Sequence, residues 1–302
     1  MIELNGFQTE QRNPATMNLD QMSALEIATC MNAEDRNAVE AVRAVLPQVA
    51  TAIEWARAAL QSGGRIVYFG AGTSGRLGVL DAVECPPTFG VDPDVVVGIM
   101  AGGERAFVKA VEGAEDSMDL CEKDLRELDL DPRDLAVGIA ASGRTPYVLG
   151  GLAYANAVGC KTIGISCNAG SSVGRAAKLA IEPQTGPEVL TGSTRLKAGS
   201  AQKMVLNMIS TGAMVGIGKA YQNLMIDVQQ TNEKLVSRAR NIVSEATGCD
   251  RATADFVLGE ADDSVKRAVV MLLAKVDAKT AEDLLEKTAG HVRRAVELAG
   301  ER

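Results

Sequence analysis

Residues 65–83 read RIVYFGAGTSGRLGVLDAV, and this stretch decides the fold class. The run from Ile66 to Phe69 is β-branched, apolar and aromatic, which predicts a buried strand. A glycine-rich turn from Gly70 to Gly75 follows, and LGVLDAV then has the composition of a helix. A strand, a glycine turn and a helix in this order indicate one unit of a parallel sheet, with the helix N-terminus at the ligand-binding edge.

Four more β-rich runs follow along the chain, namely DVVVGIM, LAVGIA, KTIGIS and KLAIE, and stretches with helical patterning separate them. Strands that alternate with helices form parallel sheets covered on both faces. We therefore predict an α/β fold of three layers, with a parallel sheet flanked by helices.

Helices are also predicted before the sheet. Ser23 and Glu26 have the spacing of a capping box, so a first helix is expected to run to about Met31. A second is expected from about Asp35 to Leu60, although its proline should kink or break it.

The chain after the sheet is helical again. Residues 195–216 are rich in Ala, Met and Leu and apolar nearly all round, which is typical of a central or interface helix. Short, charged, amphipathic helices are predicted beyond residue 232. At 302 residues the length suits two domains. We expect an α/β domain with the N-terminal helices over residues 1–232 and a small helical domain over residues 233–302.

Composition limits the possible functions. The net charge of −8 and the lack of any Lys/Arg block argue against a nucleic-acid partner. The apolar runs are too short for a membrane span and the start lacks signal-peptide features, so we expect a cytoplasmic protein. The six cysteines include no CxxC pair, and His291 is the single histidine, so no metal site is indicated. Carboxylates, hydroxyls, lysines and backbone amides are left to do the chemistry.

The glycine turn after the first strand allows three interpretations. Gly72 lets the backbone turn tightly, and Thr73, Ser74 and the free amides at the helix start suit a phosphate. The turn also matches G-x-G-x-x-G, but a dinucleotide site needs an acid at the end of the next strand, where DVVVGIM runs into AGGER. A purely structural turn is the third interpretation. We favour an anionic sugar ligand.

A second turn repeats this design. LAVGIA is followed by Ser142, Gly143 and Thr145, and Pro146 then opens a helix at its favoured first position. Such residues are ordinary helix caps about as often as they are ligand groups. Two hydroxyl-bearing turns at the carboxyl ends of parallel strands together indicate a phosphosugar site.

Two carboxylates are candidates for catalysis. Glu84 lies in VECPPTFG, where two prolines are expected to end the helix and a negative charge opposes the helix dipole. Because a carboxylate at this place destabilises the helix, its presence suggests a functional role for Glu84. Glu115 lies in an acidic turn after AGGERAFVKA, where an exposed acid is also an ordinary structural feature.

Residues 186–199, GPEVLTGSTRLKAG, form a polar loop that enters the long apolar helix. In one interpretation Ser193 and Thr194 only cap that helix. In the other, Ser193 and Thr194 face a substrate pocket together with Glu188 and Lys197.

Several of these motifs are similar to one known family. The chain resembles the N-acetylmuramic acid 6-phosphate etherases of the sugar isomerase (SIS) superfamily over essentially its whole length. The resemblance rests on TEQRNPATMNLD, FGAGTSGRLGVLDAVECPPTFG, AGGERAFVKAVEGAED, ASGRTPYV and EVLTGSTRLKAGSAQKMVLNMIST. The C-terminal VDAKTAEDLLEKTAGHVRRAV is similar to the small ubiquitin-associated-like module of this family.

The resemblance implies a lyase of amino-sugar metabolism and peptidoglycan recycling. The family removes D-lactate from N-acetylmuramic acid 6-phosphate by elimination and water addition, without a metal or organic cofactor. By resemblance, Glu84 matches the catalytic acid and Glu115 the second catalytic carboxylate. A homodimer is expected, with no nucleic-acid or membrane partner. The expected substrate-binding residues are Gly72, Thr73, Ser74, Ser142, Gly143, Thr145, Glu188, Ser193, Thr194 and Lys197.

Two other classes of protein share the SIS fold. A sugar-phosphate-sensing regulator, such as the animal glucokinase regulatory protein, needs the hydroxyl turns but not the two acids, and it is about twice this length. A sugar phosphate isomerase needs its own base and ring-opening group, and no histidine suits that role.

Overall fold

The computed structural model describes residues 7–109, 111–228 and 233–301. Five parallel strands form its main sheet, in the order β2-β1-β3-β4-β5. The strands are β1 (Ile66–Gly70), β2 (Val96–Met100), β3 (Leu135–Ile139), β4 (Lys161–Ile165) and β5 (Leu179–Ile181). Each of the five β-rich runs is a strand, so the predicted parallel sheet is confirmed.

Helices precede, connect and follow these strands. They are α1 (Ala24–Ala44), α2 (Leu46–Gln61), α3 (Gly72–Phe89), α4 (Glu104–Val108), α5 (Met118–Glu127), α6 (Pro146–Val158), α7 (Ser172–Ala176), α8 (Lys197–Gly216), α9 (Glu233–Thr247), α10 (Arg251–Glu260), α11 (Val265–Ala274), α12 (Ala278–Lys287) and α13 (Val292–Gly300). Short 3-10 helices span Gln8–Glu10, Pro14–Thr16, Leu19–Gln21 and Ala114–Asp116, and a two-stranded hairpin joins β6 (Ala220–Tyr221) to β7 (Leu224–Met225).

Helices cover both faces of the sheet. Tyr68 and Phe69 are fully buried neighbours in β1, and successive strand residues point to opposite faces. A Cβ atom placed on Gly78 of α3 would lie 2.9 Å from the Tyr68 Cβ, and one on Gly151 of α6 would lie 2.7 Å from the Phe69 ring. Helix α3 therefore packs on one face and α6 on the other, which confirms the three layers.

The boundary between the first two helices differs from the prediction. The capping box of Ser23 and Glu26 is present, but α1 continues to Ala44 instead of ending near Met31. No glycine or proline interrupts the chain there, so nothing stops the helix. The break comes before Pro47, which lies in the first turn of α2, where a missing N–H costs no helical hydrogen bond.

The end of α3 also corrects an expectation. Pro86 and Pro87 do not stop this helix, which runs on to Phe89. It ends at Gly90, whose φ of +59° is left-handed and whose N–H donates to the Pro86 carbonyl at 2.9 Å. Glu84 therefore lies inside the helix and not at its end.

The chain divides into two compact units. Met1–Val83 and Pro93–Ser210 make up the first, which contains the sheet, whereas Glu84–Asp92 and Thr211–Arg302 make up the second. Helices α9–α13 of the second unit enclose a core of their own that includes Val243, Val269 and Leu284. A helical C-terminal region is thus confirmed, while the predicted boundary after residue 232 adjoins residues 229–232, outside the described residues. Among the described helices, none has the length and apolar character to cross a membrane.

Candidate active site

The two hydroxyl-bearing turns open at the same edge of the sheet. Strands β1 and β3 are parallel neighbours, with Gly70 paired to Ile139 at their carboxyl ends. The first turn leads from β1 into α3, and the second leads from β3 into α6. The predicted meeting of both turns at one ligand edge follows from this pairing.

Glycine is required where the first turn closes on the strand. A Cβ atom on Gly70 would lie 2.8 Å from the Ile139 carbonyl oxygen, and one on Gly75 would lie 2.6 Å from the Gly70 carbonyl oxygen. Gly72 has a φ of +55°, which side chains rarely adopt. The glycines thus bring the start of α3 close to the strand ends.

The two hydroxyls of the first turn differ. Thr73 is half-buried, and its hydroxyl makes no hydrogen bond within the described residues. Ser74 is buried, and its hydroxyl donates to the Oε1 atom of Gln202 at 2.9 Å. The Thr73 hydroxyl is therefore available to a ligand, while the Ser74 hydrogen is already used.

The backbone of the second turn is hydrogen-bonded to the side chain of one asparagine. The Nδ2 group of buried Asn168 donates to the carbonyl oxygens of Ala141 at 3.3 Å and Ser142 at 3.2 Å. Gly143 has a φ of +74°, and a Cβ atom there would lie 2.3 Å from the Ser171 Cβ. Backbone geometry and Asn168 together fix the direction of this turn.

The two hydroxyls of the second turn have no hydrogen-bond partner within the described residues. Thr145 is the N-cap of α6, yet its side chain accepts no capping hydrogen bond. The hydroxyl of half-buried Ser142 likewise has no partner within the described residues. Because neither hydroxyl donates to another described residue, Ser142 and Thr145 can each donate a hydrogen bond to a ligand.

The loop of residues 186–199 is anchored by its charged groups. The fully buried carboxylate of Glu188 accepts from the backbone N–H groups of Lys197 at 3.1 Å and Ala198 at 2.9 Å, at the start of α8. Burial raises the pKa of Glu188, and those two amides oppose the shift. The Lys197 ammonium donates to Glu34 of α1 at 2.5 Å. Both charged groups are thus paired inside the protein.

Ser193 and Thr194 are half-buried, and their hydroxyls make no hydrogen bond within the described residues. The cap of α8 is Glu188, so the interpretation that these hydroxyls cap the helix does not apply. A Cβ atom on Gly199 would lie 3.5 Å from the Thr194 carbonyl oxygen and 3.6 Å from Thr73. The loop therefore runs beside the first turn.

Glu115 shares a cavity with the first turn. It is exposed on the 3-10 helix Ala114–Asp116, and together with Gly72 and Arg76 it lines a cavity of about 200 Å³. The Arg76 guanidinium donates to the carbonyl oxygens of Ala106 at 2.6 Å and Phe107 at 2.9 Å, which ties α4 to α3.

Glu84 is exposed on α3 and belongs to the second compact unit, whereas Glu115 belongs to the first.

The sequence patterns assigned no role to Arg76, Asn168 or Gln202. Arg76 directly follows the glycine turn, and Gln202 lies in residues 198–204, AGSAQKM, just after the polar loop; these positions are the local signals for the two residues.

Full-length relatives identify the family. A model of the SIS domain matches residues 122–212, and a model of the glucokinase regulatory protein N-terminal SIS domain matches residues 48–156. An N-acetylmuramic acid 6-phosphate etherase of Serratia proteamaculans is 56% identical over 98% of this chain and 99% of its own length. One from Yersinia pestis is 56% identical over 98% of this chain and 100% of its own. The chain belongs to the N-acetylmuramic acid 6-phosphate etherase family.

Family membership makes the protein an enzyme of the carbon–oxygen lyase type in amino-sugar metabolism. The regulatory-protein model matches only residues 48–156, whereas the etherases match nearly end to end, so the regulatory alternative is not favoured. A solved phosphoheptose isomerase of Francisella tularensis has 15% identity, covers 64% of this chain and 100% of its own, and gives a TM-score of 0.49.

Proposed function

We propose that the protein cleaves the D-lactyl ether of N-acetylmuramic acid 6-phosphate and releases N-acetylglucosamine 6-phosphate and D-lactate. The observation that carries this proposal is 56% identity over 98% of the chain to etherases of that name. The reaction serves the recycling of cell-wall amino sugars.

The chemistry needs one base and one acid. In the open-chain sugar, the C1 aldehyde acidifies the C2 proton, and the ether oxygen lies β to C2. A base removes the C2 proton, the electron pair forms the C2–C3 double bond, and the C3–O bond breaks as an acid protonates the lactate oxygen. Water then adds at C3 and a proton returns to C2. Each positioned proton transfer contributes about 10²–10⁴-fold to the rate.

Glu84 acts as the acid for the departing lactate oxygen, and Glu115 acts as the second carboxylate, at the C2 proton or the incoming water. Supporting this role, Glu115 lines the cavity of about 200 Å³ that also contains Gly72 of the phosphate-binding turn. The exposure of both carboxylates leaves them accessible to a substrate.

The phosphate is held by the second turn together with the amides at the start of α3. Ser142 and Thr145 support this assignment because their hydroxyls have no partner within the described residues, and Gly143 lets the turn pack closely on Ser171. Thr73, Ser193 and Thr194 offer further free hydroxyls for the sugar. Because their charged groups are already paired, Glu188 and Lys197 contribute by holding the loop of residues 186–199 in place.

The enzyme works as a cytoplasmic homodimer. Exposed apolar side chains on α3 and α8 support the dimer. Asn207 of α8 donates to Asp81 of α3 at 2.5 Å, so the two helices are in contact at this point. Close to these residues in the chain, Leu80, Val83 and Met208 are 43%, 58% and 36% exposed, and we call these three side chains the apolar face. A second copy of the chain would cover these side chains. None of the six cysteines, all of which lie within the described residues, forms a disulfide bond, as is usual in the reducing cytoplasm.

A D-lactate assay tests the proposed function. The purified protein is incubated with N-acetylmuramic acid 6-phosphate and, as the matched control, with unphosphorylated N-acetylmuramic acid. We expect D-lactate from the phosphorylated sugar and far less from the control. No D-lactate from the phosphorylated sugar would refute the proposal.

A further inference from the structure

Gln202 of α8 has a polar group that the fold leaves unsatisfied. Its side chain is fully buried, and its Oε1 atom accepts a hydrogen bond from Ser74 at 2.9 Å. The Nε2 group, with two donor hydrogens, has no partner among the described residues. Because buried donors are nearly always paired, an orphaned carboxamide nitrogen calls for a partner that binds later.

The position of Gln202 points to that partner. Ala198, four residues earlier on α8 and so on the same helix face, packs with Ala141 and Cys167 at the ends of β3 and β4. Gly199 lies beside Thr73. The first turns of α8 therefore cross the ligand edge of the sheet, and Gln202 lies above the first turn of α3.

The number of donor hydrogens on Ser74 and on Gln202 indicates which of the two side chains can bind the phosphate. A serine hydroxyl has a single hydrogen, and that of Ser74 is donated to Gln202. A phosphate offers strong acceptor oxygens. Ser74 therefore has no hydrogen left for a phosphate, whereas Gln202 Nε2, in the same planar carboxamide, has two.

We propose that the Gln202 carboxamide is a substrate-binding group whose Nε2 donates to the phosphate of the sugar, with Ser74 fixing its orientation. This inference rests on the proposed function for the identity of the ligand. The phosphate is the chosen acceptor because the N-terminus of the 18-residue helix α3 attracts negative charge to this point.

The test compares the binding of two probes by isothermal titration calorimetry, N-acetylglucosamine 6-phosphate and N-acetylglucosamine. Gln202→Met keeps the length of the side chain but removes the donor. We expect the affinity for the phosphorylated probe to fall about ten- to a hundredfold, as for a lost hydrogen bond to a charged group. The affinity for the unphosphorylated probe should stay unchanged.

Two further variants separate a direct contact from an effect through Ser74. Gln202→Glu keeps the shape and the acceptor for Ser74 but places a carboxylate oxygen where the donor was, so it should bind the phosphorylated probe at least as weakly as Gln202→Met. In a Ser74→Ala background, Gln202→Met should still lower the affinity. If that loss disappears in the Ser74→Ala background, Gln202 acts only through Ser74 and the inference is overturned.

Thr162→Val is the matched control for folding. Thr162 is fully buried in β4, and its hydroxyl donates to Asn156 at 2.8 Å, but it lies near the amino end of the strand, away from the ligand edge. The Thr162→Val variant should have a lower unfolding temperature and an unchanged affinity for the phosphorylated probe.

An unchanged affinity of Gln202→Met for the phosphorylated probe overturns the inference. If the wild type binds the phosphorylated probe but releases no D-lactate, only the proposed function fails, and the binding comparison still decides the role of Gln202.

Discussion

Single residues in the two turns differ in whether their hydroxyls are free. Ser142 and Thr145 have no hydrogen-bond partner for their hydroxyls within the described residues, whereas Ser74 donates to Gln202. A free, half-buried hydroxyl at a helix start is suited to an anion, because it can donate without breaking an existing bond. The second turn therefore carries the clearest residue-level prediction.

Replacing Ser142 by Ala should weaken substrate binding. The variant loses a charge-assisted hydrogen bond worth about 1.5–3 kcal/mol, so KM should rise about tenfold or more. Ser62→Ala is the control, since the Ser62 hydroxyl donates to the Ala59 carbonyl before β1, at the opposite edge of the sheet. Steady-state kinetics measure both variants, and an unchanged KM for Ser142→Ala would place the phosphate elsewhere.

Glu84→Gln and Glu115→Gln should fail at different steps. Loss of the acid slows departure of lactate but not removal of the C2 proton, so Glu84→Gln should exchange the C2 hydrogen with deuterated solvent while it releases little lactate. Glu115→Gln should lose this exchange if it is the C2 base and keep it if it activates water. NMR of C2 deuteration beside a lactate assay measures both. Wild-type lactate release by both variants would contradict the two-carboxylate mechanism.

Residue roles were predictable where they depend on the local chain and not where they depend on distant contacts. The glycines and hydroxyls of both turns follow from strand–turn–helix patterning. The partnership of Ser74 with Gln202 joins residues 128 positions apart, and no local pattern signals it. Asn168 supports the second turn in the same long-range way, 26 residues from Ser142.

At the scale of the elements, the start of α8 is fastened by two charged side chains. Glu188 caps its backbone, and Lys197 reaches Glu34 of α1. Burial raises the pKa of Glu34, but the hydrogen bonds from Lys197 and Asn13 outweigh it and lower the pKa below its ordinary value of 4.5. The carboxylate of Glu34 thus stabilises the folded state only while it is ionised.

This pairing predicts a pH dependence of stability. Because the folded-state pKa of Glu34 is lowered, its contribution is present above pH 4.5 and is lost as the pH falls through the folded-state value. The difference in unfolding free energy between wild type and Glu34→Gln should therefore shrink as the pH falls from about 7 to about 3.5. Urea unfolding measures it, with Glu40→Gln in the exposed pair with Arg43 as control. A constant difference across this range would contradict the pairing.

Element types were predictable, but two of their ends were not. The strands have continuous β-rich runs, and each appears as predicted. Helix α1 passes through residues 31–35 because no breaker stands there. Pro86 and Pro87 lie within the last turns of α3, and the left-handed conformation that ends the helix is at Gly90.

For the whole molecule, the apolar face around α3 and α8 predicts the assembly. Met208→Glu would place a charge where a second copy is expected to pack, so the protein should change from a dimer of 31.7 kDa chains to a monomer. Phe256→Glu is the control, because Phe256 is 70% exposed on α10, away from Leu80 and Met208 along the chain. Sedimentation velocity measures both, and a wild type at 31.7 kDa would contradict the homodimer.

The central claim for the whole enzyme is that lactate leaves by cleavage of the bond between C3 and oxygen, through elimination and hydration. The most direct measurement is the reaction of N-acetylmuramic acid 6-phosphate in ¹⁸O-labelled, deuterated water, with both products analysed by mass spectrometry and NMR. The mechanism predicts ¹⁸O at C3 and deuterium at C2 of the sugar, with no ¹⁸O in the hydroxyl of D-lactate. Label in the lactate hydroxyl and none at C3 of the sugar would contradict it.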